Sequence, residues 1–219
     1  MVDETNQEKL RIPVGISSCL LGERVRYDGG HKGHSYIMRT LDEYFDFKPF
    51  CPEVTIGLGI PRKPIRLWRN EKKETRCVGV SDISLDFTER LKSCGDAQYD
   101  WHKQLCGYIL KKDSPSCGME RVKIWDDVMP KREGIGVYAD KLMENFPYLP
   151  VAVSVDTYDA PSFLEIHIEP KVSKLINKTN SPHTVTSTKN SCLTNKPLLF
   201  SDIFNWNLIN KAFNSCINN

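Results

Sequence analysis

Ile12-Pro13-Val14-Gly15-Ile16-Ser17-Ser18-Cys19 is an apolar run bounded by small residues that stops on a cysteine. It reads as a strand buried on both faces that ends in a loop. The same kind of punctuation repeats along the chain. A helix is expected from Ser35 to Phe45, where Ile37, Leu41, Tyr44 and Phe45 recur at three-to-four spacing, and a second apolar segment from Phe47 to Val54. A further helix is expected around Asp96 to Cys106. Tyr108-Ile109-Leu110 then reads as a strand running into Lys111-Lys112-Asp113-Ser114-Pro115-Ser116-Cys117-Gly118. Gly136-Val137-Tyr138 leads into a short helix over Ala139 to Phe146, and Leu149 to Val155 offers one more strand. Strands alternating with helices predict an α/β fold: a compact, mostly parallel sheet flanked by helices, Rossmann-like.

Composition sets the outer limits. With 219 residues, at roughly 150 per domain, the chain has room for one domain and an appendage. Its 40% hydrophobic and 26% charged residues exclude the low-hydrophobicity composition of disordered chains. A net charge of +2 gives no strong pull on nucleic acid or on an anionic membrane, so neither partner is expected. No segment approaches the ~20 apolar residues of a membrane span, and Met1 to Leu10 lacks an apolar core of a signal peptide, so a cytoplasmic location is expected. Eight cysteines spread from Cys19 to Cys216 then favour reduced thiols or metal ligands over a disulfide framework.

All 13 glycines lie at or before Gly136. From Lys171 to Asn219, six lysines and ten asparagines accompany one acid, Asp202. This break predicts a domain over 11–151 and a divergent, Asn/Lys-rich C-terminal extension over 152–219 that is loosely ordered or loosely docked.

Three cysteines share a context that the other five lack. Cys19, Cys51 and Cys117 each follow an apolar, strand-like run and precede a loop rich in Gly or Pro. In an open parallel sheet, ligands bind outside the carboxyl ends of the strands, so three distant thiols can meet there. Converging thiolates suit a soft metal or an iron-sulfur cluster. A closed zinc site wants four ligands, usually in local pairs, and the chain has no C-x-x-C. A cubane held by three cysteines leaves one iron free for substrate. Spacing alone does not separate this reading from three small buried hydrophobes.

The chain resembles the thiouracil desulfurase family. The resemblance lies in Ile16-Ser17-Ser18-Cys19-Leu20-Leu21-Gly22, Arg26-Tyr27-Asp28-Gly29, Cys51-Pro52-Glu53-Val54, Gly57-Leu58 with Pro61-Arg62-Lys63-Pro64, and Leu110-Lys111 with Ser114-Pro115-Ser116-Cys117-Gly118. It covers about Ile12 to Val151. It implies a 4Fe-4S cluster held by Cys19, Cys51 and Cys117, and removal of sulfur from a thiolated pyrimidine. The reaction expected within that frame is a hydrolytic, non-redox exchange of C=S for C=O, with the sulfur taken by the open iron. Glu53 is the first candidate for the base and Asp28 the second. Ser114 and Ser116 flank Cys117 as hydrogen-bond donors. Arg26, Arg62 and Arg66 are candidates to orient an anionic or carbonyl group of the substrate, a small thiolated base or nucleotide.

Structural alternatives stand beside these roles. Glu53 can cap a helix or pair with Arg62, and Asp28 before Gly29-Gly30 suits a turn. Gly57-Leu58-Gly59 is followed by Ile60-Pro61-Arg62, which breaks the nucleotide-loop pattern. His31, His34 and His102 are assigned no metal, and Cys77, Cys94, Cys106, Cys192 and Cys216 are not expected to be ligands. Larger relatives tend to carry a second helical domain after an acidic linker, whereas this chain continues as Ala152-Val153-Ser154-Val155-Asp156-Thr157-Tyr158. The functional alternative is a non-catalytic iron-sulfur or metal-binding module for redox sensing or cluster storage; a cluster-free α/β binding protein is the remaining rival.

Overall fold

A computed structural model describes residues 11–127, 129–154 and 164–167. The chain divides into two compact units, Met1–Glu165 and Ile166–Asn219. Apart from the end of one strand, the second unit and most of the expected extension lie outside the described residues. Among those described, no helix is long and apolar enough to cross a membrane.

The described residues form two sheets. The larger contains β1 (Ile12–Ser17), β2 (Phe45–Phe50), β5 (Gly107–Lys111), β8 (Val151–Ser154) and β9 (Leu164–His167) in the order β2-β1-β5-β8-β9. The pairings β1–β2, β1–β5 and β5–β8 are all parallel. Val14 and Ile16 are fully buried in β1, as are Ile109 and Leu110 in β5. Burial on both faces is why these strands read as apolar runs. The α/β architecture with a parallel sheet is therefore as expected.

The order of this sheet has a consequence for ligand binding. From β1 the chain crosses to β2 on one side, whereas from β5 it proceeds to β8 on the other. The crevice between the carboxyl ends of β1 and β5 is thus a topological switch point, the place where open α/β sheets take up ligands.

The second sheet, ordered β4-β3-β6-β7, was not expected. It joins β3 (Ile65–Arg69), β4 (Thr75–Gly79), β6 (Val122–Trp125) and β7 (Lys131–Gly134) in two antiparallel pairs and one parallel pair. Its inner face is apolar: Leu67, Cys77, Val122 and Ile124 are buried with Leu91 and Val137. Arg66, Arg76 and Lys123 stand at alternate positions, so no continuous apolar run announces these strands.

The helices also shift from their expected limits. The segment over Ser35–Phe45 splits into α1 (Ser35–Arg39), a 3-10 turn at Leu41–Glu43 and the first residue of β2. The apolar segment over Phe47–Val54 is the rest of β2 followed by α2 (Pro52–Thr55), which starts on a proline that has no N–H to leave unpaired. Helix α3 runs Thr88–Ala97 and α4 Tyr99–His102, so the helix placed at Asp96–Cys106 starts eight residues early. Asp86 accounts for the start, since its Oδ1 accepts the Thr88 N–H at 2.8 Å. Helix α5 (Val137–Asn145) and α3 pack together on the inner side of both sheets.

Candidate active site at the carboxyl edge of the parallel sheet

Strand β1 ends at Ser17, and Cys19 lies in the 3-10 turn Ser18–Leu21 that follows. Gly22 closes that turn with φ +87, a left-handed conformation costly for any side-chain-bearing residue. The next loop folds back on the cysteine: Lys32 N–H donates to the Cys19 carbonyl at 2.8 Å and His34 N–H to Leu20 at 3.2 Å. Cys51 immediately follows β2, whose last residue Phe50 is paired with Ser17. Lys111, the last residue of β5, donates its N–H to Ser17 Oγ at 3.0 Å, so the ends of β1 and β5 are tied side by side.

Cys117 is held by a tight loop seated on the start of α5. The first amides of a helix have no partner within it. Here Val137 N–H donates to the Pro115 carbonyl at 3.0 Å, while Tyr138 and Ala139 donate to Ser116 at 3.0 and 3.1 Å. Gly136 must be glycine for this seat: a Cβ there would stand 2.6 Å from the Ser116 carbonyl carbon and 2.8 Å from Cys117 N.

Within the loop, Ser114 Oγ accepts the N–H groups of Ser116 and Cys117 at 3.3 and 3.1 Å. With both lone pairs engaged, its own hydrogen is directed to Ser116 Oγ, 3.0 Å away. Ser116 Oγ in turn donates to Glu53 Oε1 at 2.6 Å and lies 3.6 Å from Cys117 Sγ. The other carboxylate oxygen of Glu53 accepts both Nε and Nη2 of Arg62, at 2.9 and 2.8 Å. A directed chain therefore runs from Ser114 through Ser116 to the Glu53–Arg62 pair and passes beside Cys117.

The three cysteines share a neighbourhood through Cys51, which lies close enough to Cys19 and to Cys117 that its ionisation would oppose theirs. Burial pushes the Cys19 thiol up to about 11, against the pull of the Lys111 and Arg26 charges. Burial also raises Cys51 and raises Cys117 furthest of the three. None is in a disulfide. Thiols desolvated in this way stay protonated until a cationic centre replaces the proton. Cys94, set apart by its sequence context, is also close enough to Cys51 to be raised by it. Among the described residues, no three His, Cys, Asp or Glu side chains surround a single ion-sized point. A cluster makes a different demand, because each cysteine binds a separate iron.

Other candidates have contacts of their own. Asp28 is exposed and closes the Arg26–Gly30 turn: its Oδ1 accepts Gly30 N–H at 3.0 Å, a bond that holds its carboxyl below the usual range. Arg26 Nη2 lies 3.7 Å from Asp28 and its guanidinium 5.6 Å over the Tyr27 ring. Arg66 stacks on Trp68 and Trp125 of the second sheet. His102, assigned no metal, is buried with Nε2 2.7 Å from Tyr138 Oη, and Tyr138 reaches Tyr108 at 3.4 Å. Burial lowers His102 to about 4, so the ring is neutral at ordinary pH. Sequence reasoning missed Ser17, whose hydroxyl joins β1 to β5 by accepting the Lys111 N–H and lies near enough to Cys117 to ease its ionisation; its place in Ser17-Ser18-Cys19 was the available signal.

An α/β domain with three strand-end thiols and a hydrogen-bonded carboxylate at its switch point defines a cysteine-lined ligand site. Residues 14–153 match the 2-thiouracil desulfurase family. As this is well over half of the chain, the protein belongs to that family. The YbbK protein of Bacillus subtilis (strain 168), uncharacterized, is 30% identical over 108 residues, covering 47% of this chain and 71% of that protein. Among solved structures, the 4Fe-4S-dependent thiouracil desulfidase TudS is 29% identical and superposes with a TM-score of 0.49 over 61% of this chain and 86% of its own.

Proposed function

We propose that the protein is a desulfurase that converts the C=S group of a small thiolated pyrimidine, free base or nucleotide, into C=O. Water enters and hydrogen sulfide leaves, so the exchange balances without an electron donor or acceptor. The observation that carries this reading is the Glu53 carboxylate beside Cys117, fixed between Ser116 and Arg62 at the switch point.

The donor set suits a 4Fe-4S cluster. Cys19, Cys51 and Cys117 are free thiols in the segments that follow three neighbouring strands, and sulfur is the preferred donor for iron-sulfur centres. With only three cysteine ligands, the group when bound supplies a Lewis-acidic iron suited to a soft thiocarbonyl sulfur. The chain supplies the proton handling. Glu53 Oε1 accepts the proton of the attacking water, a task for which its existing bond to Ser116 gives direction. Ser116 can turn its hydroxyl from Glu53 to Cys117 Sγ, since both lie within its reach. Ser114 holds the loop amides and keeps Ser116 supplied with a donor. Arg26 lends positive charge near Cys19.

Anaerobic reconstitution with iron and sulfide quantitation tests the ligand set. Cys19→Ala, Cys51→Ala and Cys117→Ala are expected to lose the cluster, whereas Cys94→Ala retains it. Because Cys94 neighbours Cys51, this control is stringent: equal loss of iron would overturn the assignment. Sulfide release from 2-thiouracil tests the reaction. A brown wild-type protein that releases none from any thiolated base would be a binding or storage module instead. Unchanged turnover in Glu53→Gln would remove Glu53 as the base.

A further inference from the structure

Arg62 was expected to meet the substrate, and its surroundings assign it other work. Nε and Nη2 donate to Glu53 Oε2 at 2.9 and 2.8 Å, and Nη1 donates to the carbonyls of Val25 and Gly59 at 2.9 and 3.0 Å. Four of the five guanidinium N–H groups are thereby engaged within the chain. The side chain is 6% exposed and that of Glu53 12%. A guanidinium so enclosed has little left to offer a substrate carbonyl.

The partners of Arg62 belong to three separate segments. Glu53 lies on α2 directly after Cys51, Val25 on the loop that follows Cys19, and Gly59 on the turn that follows α2. The backbone repeats the link, since Arg62 N–H donates to the Tyr27 carbonyl at 2.9 Å. The Cys51 thiol faces the Val25 carbonyl at 4.0 Å.

We infer that Arg62 is a positioning residue: its fork fixes one oxygen of Glu53 and so presents the other to Ser116 and the reacting water. This inference rests on the reading of Glu53 as the base. The planar fork is essential, because a lysine ammonium matches the charge but not the paired N–H geometry.

The test compares wild type with Arg62→Gln, Arg62→Lys, Glu53→Gln and the double Glu53→Gln/Arg62→Gln, each reconstituted and assayed with 2-thiouracil. Arg62→Gln is expected to lower kcat by roughly a hundredfold, the scale of lost positioning, with KM within about twofold. Arg62→Lys recovers part of kcat. The double variant is no slower than Glu53→Gln alone, because a residue that acts through another has nothing to add once that other is gone. Iron per protein stays at the wild-type value. A raised KM with unchanged kcat in Arg62→Gln would instead make Arg62 a substrate contact, and losses that multiply would make it an independent contributor; either overturns the inference. Urea unfolding of the cluster-free proteins supplies a readout free of catalysis. Both single variants are expected to lower the midpoint and the double to lower it no further than the worse single, since each single change strands the other buried charge. Strictly additive shifts would refute the coupling. Wild type that releases no sulfide removes the desulfurase reading and this role with it, whereas active wild type with multiplying losses removes only the role of Arg62.

Discussion

The two sheets bury their residues on different plans. In the five-stranded sheet, Val14, Ile16, Ile109, Leu110 and Ala152 are all fully enclosed, on whichever side of the strand they lie. In the four-stranded sheet, Leu67, Cys77 and Ile124 face inward, while Arg66, Arg76 and Lys123 take the alternate positions. The parallel sheet brings the ends of separate crossovers to one edge, and there Cys19, Cys51, Glu53 and Cys117 collect. The mixed sheet turns back on itself through β3–β4 and β6–β7 and supplies a wall. The comparison teaches that the first sheet gathers distant polar and thiol groups at its edge, whereas the second buries one apolar face.

The largest break in that comparison is at the edge. Cys117→Ala is expected to abolish cluster retention and sulfide release while the protein remains folded, as seen by iron quantitation and far-ultraviolet circular dichroism. Leu67→Ala, at the centre of the second sheet, is expected to cost roughly 2–5 kcal/mol in urea unfolding, with sulfide release per folded molecule unchanged. A loss of turnover in that variant would make the wall part of the machinery.

A third effect belongs to helix α4, packed on the parallel sheet through Tyr108, and depends on pH. His102 is 1% exposed and its pKa is lowered from 6.5 to about 4 by burial. A depressed folded pKa means that the unfolded chain binds more protons between those values, so stability falls as pH drops from about 6.5 toward 4. The loss is about 3 kcal/mol, at 1.36 kcal/mol per unit. Urea midpoints across that range are expected to decline in wild type and to decline less in His102→Gln. The smallest effect is on the outer side of the second sheet. Arg76 pairs with Asp86 at 2.8 Å and Glu89 at 3.3 Å, both partly in solvent. Arg76→Gln is expected to cost about 0.2–1 kcal/mol, shrinking as salt is added to the unfolding assay.

The difference between the sheets also explains which parts of the fold were legible in the sequence. Strands β1 and β5 are short apolar runs between small or turn-forming residues, and both were placed close to their observed limits. The second sheet was invisible because arginines interrupt Ile65-Arg66-Leu67-Trp68-Arg69 and Lys131-Arg132-Glu133-Gly134 carries no apolar side chain. The inward side of β3 becomes evident only at every second residue, over a strand of five residues. The start of α3 carried a readable signal in Asp86-Phe87-Thr88-Glu89, yet the helix has few apolar positions beyond Leu91 and Cys94 to mark its face.

At the site, sequence determined the kinds of atoms available: three strand-end thiols, a glutamate two residues from one of them, and a serine-rich loop before another. Those features follow from local composition, because turns and strand ends are written in consecutive residues. Only the tertiary structure decided which groups meet. It drew Arg62 away from solvent onto Glu53, brought Ser116 from 63 positions away to the same carboxylate, set Asp28 into a turn, and left Cys94 within electrostatic reach of Cys51. Such pairings join residues many positions apart, and their choice is settled by how the sheets and helices pack, a property that no single stretch of the chain contains.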